Sequence, residues 1–221
     1  MAQGSIAESF REIRDSLPDE VRLVVAAKGR KGREIREVIE AGARVVGENY
    51  VQDAERHRLE LGEAAEQVEW HLIGHLQRNK INRALPLFSM VQSLDSLRLA
   101  RAIEKRADGP IPALIEVNIA GEESKYGIPV DEVTEVAPRI AELDGVRVRG
   151  LMTMEPYMED PEGARPYFRR MRELFEELKA RDLPGLEMEV LSMGMTNSWR
   201  VAVEEGSNMV RIGTAIFGPR T

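Results

Sequence analysis

The sequence contains no cysteine, and this absence excludes several kinds of site at once. Without thiols the protein has no disulfide, no thiolate metal ligand and no cysteine nucleophile. Aromatic residues make up only 5% of the chain, and no apolar run approaches the roughly 20 residues that a membrane-spanning helix needs. The polar N-terminus, residues 1–17, is unlike a signal peptide. These features predict a cytoplasmic protein that does not enter a membrane.

The chain also lacks the positive charge that is typical of nucleic-acid-binding proteins. Its 31 Lys and Arg are outnumbered by 38 Asp and Glu, which gives a net charge of −7. One short basic run contains Arg30, Lys31 and Arg33, with no aromatic residue between them. We interpret this run as a solvated turn and expect no nucleic-acid partner.

Eight short apolar runs recur along the chain. With 221 residues, 43% of them hydrophobic, the chain is long enough for one core and short for two, so we expect one domain over residues 1–221. Each run has the length of a strand. The runs cover residues 21–28, 43–49, 68–74, 88–94, 112–119, 146–153, 187–194 and 209–218.

The segments between these runs have helical features. An N-terminal helix is predicted over residues 6–17, before the first run. Further helix starts are predicted at Asp160 with Pro161, at Asp95 and at Pro129. The apolar faces of these helices consist of Phe168, Met171, Phe175 and Leu178, then Leu99 and Ile103, and then Val133 and Val136.

Strands that alternate with helices indicate an α/β fold with a parallel sheet. A closed (β/α)8 barrel of the TIM type and an open doubly wound sheet both fit this alternation. Eight strands favour the barrel, and the chain has no GxGxxG or Walker loop after its first strand to favour the open sheet. In such a barrel, chemistry is expected where each strand ends.

Lys28 closes the first apolar run, directly after four apolar residues. An ammonium group at an apolar rim loses hydration, which favours the neutral amine that attacks an aldehyde to form a Schiff base. The alternative is a surface lysine in the basic turn that follows.

The ends of the seventh and eighth runs contain glycine beside hydroxyl residues. Gly194 precedes Thr196, and Gly213 precedes Thr214. In (β/α)8 barrels these two loops commonly bind phosphate, because free backbone N–H groups and a helix N-terminus point at the anion. The alternative is a pair of ordinary glycine turns.

Arg211 lies inside the eighth run, and its side chain should point away from those of Val210 and Ile212. An unpaired buried guanidinium is unfavourable, so we expect Arg211 to face a ligand or an acid inside the barrel. The polar candidates to meet it are Glu48, Asn49, Glu116 and Asn118.

His71 and His75 have the i, i+4 spacing of a helical zinc pair, but they bracket the end of a predicted strand. That geometry does not put both rings on one face, and no third ligand lies nearby. We therefore expect no metal site. The chain also has no GxSxG nucleophile motif.

These strand ends lie within motifs that resemble those of the pyridoxal phosphate homeostasis proteins, the YggS/PROSC type, over nearly the whole chain. The motifs are VAAK (25–28), GENYVQ (47–52), WHLIGHLQRNK (70–80), NIAGEESKYG (118–127), RGLMTM (149–154), SMGMT (192–196) and VRIGTAIFG (210–218). The resemblance implies a barrel similar to the alanine racemase N-terminal domain, with pyridoxal 5'-phosphate (PLP) as its cofactor.

The resemblance also implies the cofactor-binding residues. It places the PLP aldehyde on Lys28 as a Schiff base, Arg211 near the ring nitrogen and Asn49 near the ring. It places the phosphate against two turns, Met195 with Thr196 and Gly213 with Thr214. No catalytic residue is implied.

Three positions depart from the family pattern. Ala27 replaces a common serine, Arg30 replaces a common second lysine, and Asn197 lies where an acidic residue often follows. Arginine cannot act as a neutral amine nucleophile, so a role of a second lysine in passing the cofactor onward is in doubt here.

The resemblance favours a protein that stores, buffers or delivers PLP without catalytic turnover. The alternative is a PLP-dependent amino-acid racemase of low activity, which would need an acid/base group on each face of the substrate. A barrel that acts only through protein contacts is a third possibility. The expected partners are PLP, other B6 vitamers and, transiently, PLP-dependent apoenzymes, and we expect a monomer.

Overall fold

The computed structural model describes residues 5–122 and 125–219, and in these ranges parallel strands alternate with helices. The strands there are β1 (Arg22–Ala26), β2 (Val45–Glu48), β3 (Glu69–Leu72), β4 (Met90–Leu94), β5 (Ile111–Asn118), β6 (Ile128–Pro129), β7 (Val146–Thr153), β8 (Leu186–Ser192) and β9 (Met209–Ile212). The helices there are α1 (Ile6–Asp15), α2 (Gly32–Glu40), α3 (Val51–Leu61), α4 (Ile81–Ala84), α5 (Leu97–Glu104), α6 (Val133–Ala141), α7 (Arg165–Lys179), α8 (Trp199–Glu204) and α9 (Thr214–Phe217). Short 3₁₀ helices cover Gly62–Gln67, Arg78–Lys80 and Pro161–Ala164.

The strands close into a barrel. They pair in the order β4, β3, β2, β1, β9, β8, β7, β5, and β5 pairs with β4 to complete the ring. Every pair is parallel, and the helices lie between consecutive strands in the chain. The predicted (β/α)8 barrel with an extra N-terminal helix is confirmed, and each predicted apolar run overlaps one strand of the ring. The open-sheet alternative is wrong, because the two edge strands of such a sheet would not pair.

Strand β6 was not predicted. Its two residues pair with Val117 and Asn118 at the end of β5. Gly127 has a φ of +113° and approaches so closely that a Cβ there would lie 2.6 Å from the backbone nitrogen of Asn118. Pro129 is part of this strand and does not open the following helix, which begins at Val133. A proline suits this place because a two-residue edge strand needs no ladder bond from its nitrogen.

Two other predicted boundaries were wrong. Ser96 and not Asp95 caps α5, since the Ser96 hydroxyl accepts the N–H of Leu99, and the Asp95 carboxylate bonds to a histidine ring instead. The last predicted strand, 209–218, ends at Ile212, because Gly213 leaves the extended conformation and α9 follows. The apolar run continues past this point because Ile216 and Phe217 of α9 are also buried.

The main core lies between the barrel and the helices around it. Helix α7 follows the predicted start: Asp160 accepts the N–H of Glu162, and Pro161 begins the 3₁₀ turn that leads into the helix. Its predicted face is buried, as expected for Phe168, Met171, Phe175 and Leu178. No helix in the described part of the chain combines the length and the apolar character needed to cross a bilayer.

Candidate functional site

Lys28 lies at the C-terminal end of the barrel, which we call the mouth. It follows β1 by two residues and is half-buried. Its Nζ lies 5.7 Å from the ring centroid of Tyr50, which follows β2. Among residues 5–122 and 125–219, no carboxylate forms an ion pair with this amine. The described residues therefore offer this amine no anionic partner.

Asn49 lies beside Lys28, because β1 and β2 pair in register up to Ala26 and Gly47. Asn49 is half-buried. Its backbone packs on the next strand, where a Cβ at Gly74 would lie 2.5 Å from the Asn49 carbonyl oxygen. The sequence prediction that Lys28 and Asn49 share the mouth is consistent with this register.

The turns after β8 and β9 lie side by side at the mouth. The N–H of Ala215 donates to Thr196 Oγ1 over 3.3 Å, which joins the two turns. The N–H of Met195 is used within its own turn, where it donates to Ser198 Oγ. Four other N–H groups at these turns have no acceptor among the described residues: those of Thr196, Asn197, Gly213 and Thr214. Unpaired backbone donors at adjacent turns form a suitable site for an anion such as phosphate.

Gly194 makes the first of these turns possible. Its φ is +95°, a conformation that side chains other than glycine rarely adopt. A Cβ at this position would lie 2.5 Å from the Cβ of Ala202 on α8. Glycine therefore lets the chain after β8 turn directly onto α8.

Arg211 is buried inside the barrel, with only 4% of its surface exposed. Its Nη1 donates to Ser192 Oγ and its Nη2 to the carbonyl oxygen of Thr153, both over 2.6 Å. Burial lowers the pKa of this guanidinium, and the charges of Glu155 and Glu116 act in the opposite direction. Of the four predicted partners of Arg211, Glu116 acts on the guanidinium only through its charge. Glu48, Asn49 and Asn118 do not contact Arg211. The residues that bond to it were missed because Ser192 and Thr153 have no charge to single them out.

A hydrogen-bonded chain extends from Arg211 across the barrel. Ser192 on β8 accepts from Arg211, so its single proton goes to Gln92 Oε1 on β4, 2.7 Å away. The amide nitrogen of Gln92 then donates to His71 Nδ1 over 2.9 Å. A guanidinium can only donate, so Ser192 accepts from Arg211 and the bonds to Gln92 and His71 follow in that order.

The chain continues to the opposite, N-terminal end of the barrel. Burial lowers the pKa of His71, so the ring is neutral and its proton is on Nε2, facing Glu69 at 3.4 Å. Glu69 also accepts from Arg22 over 2.9 Å, and the bonds from both lower its pKa to about 2. His71 is thus a buried structural link between the two ends of the barrel.

Two buried carboxylates lie around Arg211. Glu116 Oε2 and Glu155 Oε2 have no hydrogen-bond partner among the described residues. Burial, reinforced by the charge of Asp95, raises the pKa of Glu116 to about 7, although Arg211 lowers it. The other oxygen of Glu155 accepts from Ser198. The interior near Arg211 is therefore polar and acidic.

Glu48 pairs with His57 and not with Arg211, which corrects the prediction. His57 Nδ1 lies 2.7 Å from Glu48 Oε1, and both side chains are fully buried. Burial raises the pKa of Glu48, and although burial lowers the pKa of His57, the bond to Glu48 raises it overall. His57 Nε2 faces the carbonyl oxygen of Arg30 at 3.0 Å, which fixes the loop after β1.

Arg30, the departure from the family pattern, is itself buried. Its guanidinium donates to the carbonyl oxygens of Phe217 and Gly218 and lies 5.1 Å from the Phe217 ring centroid. It therefore connects the loop that follows Lys28 to α9. Arg30 is a structural residue in this chain.

His75, Asp95 and Tyr126 form a small cluster at the mouth. His75 Nδ1 lies 2.7 Å from Asp95 Oδ2, and its ring stacks on Tyr126 with centroids 3.9 Å apart. His71 and His75 point to different partners, and the described ranges contain no group of three metal-ligating side chains. In the motif at 118–127, residues 123 and 124 lie outside the described residues.

Comparison with known proteins gives the family. The family model for the alanine racemase N-terminal domain matches residues 2–221. The pyridoxal phosphate homeostasis protein of Aquifex aeolicus is 42% identical over 202 residues, covering 90% of this chain and 87% of its own. The pyridoxal phosphate homeostasis protein of Escherichia coli K12 is 38% identical over 235 residues, and the match covers 97% of each chain. The chain belongs to the pyridoxal phosphate homeostasis protein family.

The solved structure of a relative contains a bound ligand. The structure of PipY from Synechococcus elongatus, with PLP bound, superposes with a TM-score of 0.88 at 32% identity, covering 97% of this chain and all of PipY. The predicted family and fold are thus confirmed. No comparison identifies the residues that contact PLP, so the site residues stay a prediction.

Proposed function

We propose that this protein binds PLP covalently through Lys28 and stores, buffers or delivers it as part of PLP homeostasis. The observation that supports this most directly is the position of one half-buried amine, without an anionic partner, next to two turns with unpaired N–H groups. The amine of Lys28 meets the aldehyde of PLP, and the unpaired N–H groups of the two turns meet its phosphate. When bound, PLP supplies a reactive aldehyde, and its C=N linkage to Lys28 forms with release of one water.

Each of the other predicted residues has its own role in binding PLP under this proposal. Thr196 and Thr214 bind the phosphate through hydroxyl and backbone N–H groups, and Gly213 lets the backbone approach it. Met195 shapes the turn, because its own N–H already donates to Ser198. Asn49 lies beside the ring, and Arg211 faces the ring nitrogen.

We further propose that the protein has no catalytic turnover of its own. Arg211 is held by Ser192 and Thr153, and a guanidinium does not give up its proton at neutral pH. A ring nitrogen that faces this group stays unprotonated, which weakens the ring as an electron sink. Most carbanion chemistry is therefore disfavoured.

The covalent assignment is tested by saturating the protein with PLP, reducing with borohydride and mapping the modified peptide by mass spectrometry. We expect one adduct, on Lys28, and its loss in Lys28→Ala together with the visible absorbance. Lys31→Ala is the matched control, since Lys31 is an exposed lysine three residues further on. Wild-type protein that gains no adduct at Lys28 would refute the proposal.

The absence of turnover is tested by incubating the loaded protein with L- and D-alanine. Steady racemisation at ~1 s⁻¹, a low enzymatic rate, would make the protein a racemase. The phosphate turns are tested by titrating PLP into Thr196→Val, which keeps the side-chain shape. We expect affinity to fall about tenfold, because one hydroxyl contact to a charged group is lost.

The proposal also covers the location, the oligomeric state and the partners of the protein. We propose a cytoplasmic monomer in which residues 1–221 act as one domain, with PLP, other B6 vitamers and, transiently, PLP-dependent apoenzymes as partners. Light scattering of the loaded protein checks the monomer. A dimer at micromolar concentration would contradict it.

A further inference from the structure

A groove lined by cations lies on the outer surface beside the mouth. It has a volume of about 630 Å³ and lies between α5 and the 3₁₀ helix Arg78–Lys80. Its lining contains no carboxylate. The charged residues that line it are Arg78, Arg98, Arg101, Lys105 and Arg106, all of them exposed.

These cations have no carboxylate partner among the residues that the structure describes. Helix α7 shows the opposite arrangement. Its arginines each form an ion pair with glutamate, as seen for Arg165, Arg169, Arg170 and Arg172. In a chain with a net charge of −7, the cations of the groove are a local reversal of the overall charge.

The groove adjoins the mouth. A second cavity, of about 330 Å³, shares Arg78 and Arg98 with it and reaches His75 and Asp95. His75 stacks on Tyr126 at the end of the barrel where Lys28 lies. A molecule seated in the groove would therefore lie next to the opening of the proposed PLP site.

The shape of the groove indicates the class of its ligand. Arg98, Arg101 and Lys105, the residue that caps α5, follow the i, i+3, i+7 spacing of one helix face, so the charges are spread over about 10 Å along the helix. A single phosphate would need buried donors that converge on one point, and these side chains are exposed. No aromatic residue lines the groove to stack on nucleic-acid bases. The half-buried Leu97 and Ala102 add apolar surface, as at a protein interface.

We infer that this groove is a docking site for an acidic segment of a partner protein, which is thereby held at the mouth. The inference rests on the proposed function, because delivery of PLP is the reason for a partner to dock there. Exposed complementary charges mainly accelerate association, so the contact would be rapid, transient and weakened by salt.

The test uses the PLP-loaded protein and fluorescein-labelled deca-glutamate as the probe. Binding is followed by fluorescence anisotropy at about 50 mM salt, a condition in which screening is modest. The variant R98E/R101E/K105E reverses the charge of three of the residues that line the groove. We expect its affinity for the probe to fall about tenfold or more, because three attractions become repulsions. The control R11E/R170E/K179E makes the same change of charge on α1 and α7, and it should alter affinity less than about twofold.

Three results would overturn the inference. Equal effects of the two triple variants would show that only net charge matters. Tighter binding of deca-adenylate RNA than of deca-glutamate would assign the groove to nucleic acid. Full displacement of the probe by millimolar inorganic phosphate would assign it to a small anion.

A second measurement separates this inference from the proposed function. Borohydride reduction and mass mapping should give the same Lys28 adduct in the wild type and in both triple variants. A missing adduct in all three proteins would refute the proposed function. An intact adduct, with equal rates of PLP transfer from wild type and the groove variant to a cofactor-stripped acidic aminotransferase, would refute docking alone.

Discussion

Replacing Glu116 with glutamine tests the electrostatics of the barrel interior. Glu116 is 2% exposed, and one of its oxygens has no partner among the described residues. Burial raises its pKa from 4.5 to about 7, with Asp95 adding to the effect and Arg211 opposing it. The protein without PLP therefore carries a carboxylate that becomes ionised in an unfavourable place near neutral pH.

The free energy of unfolding depends on pH because the folded and unfolded states bind the proton of Glu116 with different pKa values. The folded state keeps the proton of Glu116 up to a pH of about 7, whereas the unfolded state releases it near 4.5. The stabilisation from this group is therefore complete below about 4.5 and is lost as the pH rises through about 7. Each pKa unit corresponds to ~1.4 kcal/mol, so the loss is about 3 kcal/mol in all. Most of it falls between pH 5 and pH 8.

Glutamine stays neutral at every pH and avoids this loss. We expect Glu116→Gln to gain about 2–3 kcal/mol in free energy of unfolding over the wild type between pH 5 and pH 8. Urea denaturation followed by circular dichroism at pH 5, 6, 7 and 8 measures the difference. Glu159→Gln, at an exposed loop position, is the matched control and should show no such trend. Stability curves for Glu116→Gln and the wild type that stay parallel across this range would refute the reasoning.

Three further predictions concern the residues around the site. Gln92→Leu should lower the free energy of unfolding by about 2 kcal/mol, since buried polar groups lose their partner; an unchanged urea midpoint would contradict it. His57→Ala should lower it by about 3–5 kcal/mol by leaving Glu48 buried alone, and His57→Gln by less; equal losses would show that packing dominates. Gly194→Ala should cost about 1–3 kcal/mol and weaken PLP binding. Adding Ala202→Gly should recover part of that loss, as calorimetry can show.

Much of the barrel could be predicted because its strands are short, apolar and separated by helical segments. Each predicted run overlaps one strand of the ring, since buried parallel strands form continuous apolar stretches in the sequence. Strand β6 could not be predicted from pattern, because two residues carry no periodicity. The cap at Ser96 and the end of β9 depended on one or two residues, where local preferences are nearly equal.

The candidate site could be predicted only in part. Lys28 and the glycine turns occur at strand ends, where the barrel brings them together. The hydrogen-bonded chain beyond Arg211 could not be predicted, because Ser192 and Gln92 are 100 residues apart and meet only after the barrel closes. One signal was available, since Gln92 is a polar residue within an apolar run. Nothing in the sequence distinguished the pairing of Glu48 with His57 from a contact with Arg211.

The polar chain through the barrel has a consequence for residues that no ligand touches. Arg22 and Glu69 lie at the strand starts, the end remote from Lys28, yet they are joined bond by bond to the Arg211 guanidinium inside the barrel. A substitution of Glu69 removes the acceptor that faces His71 Nε2 at the far end of this series. Affinity for the vitamer is therefore open to tuning from the far side of the molecule, and that side should not be regarded as inert when the protein is engineered.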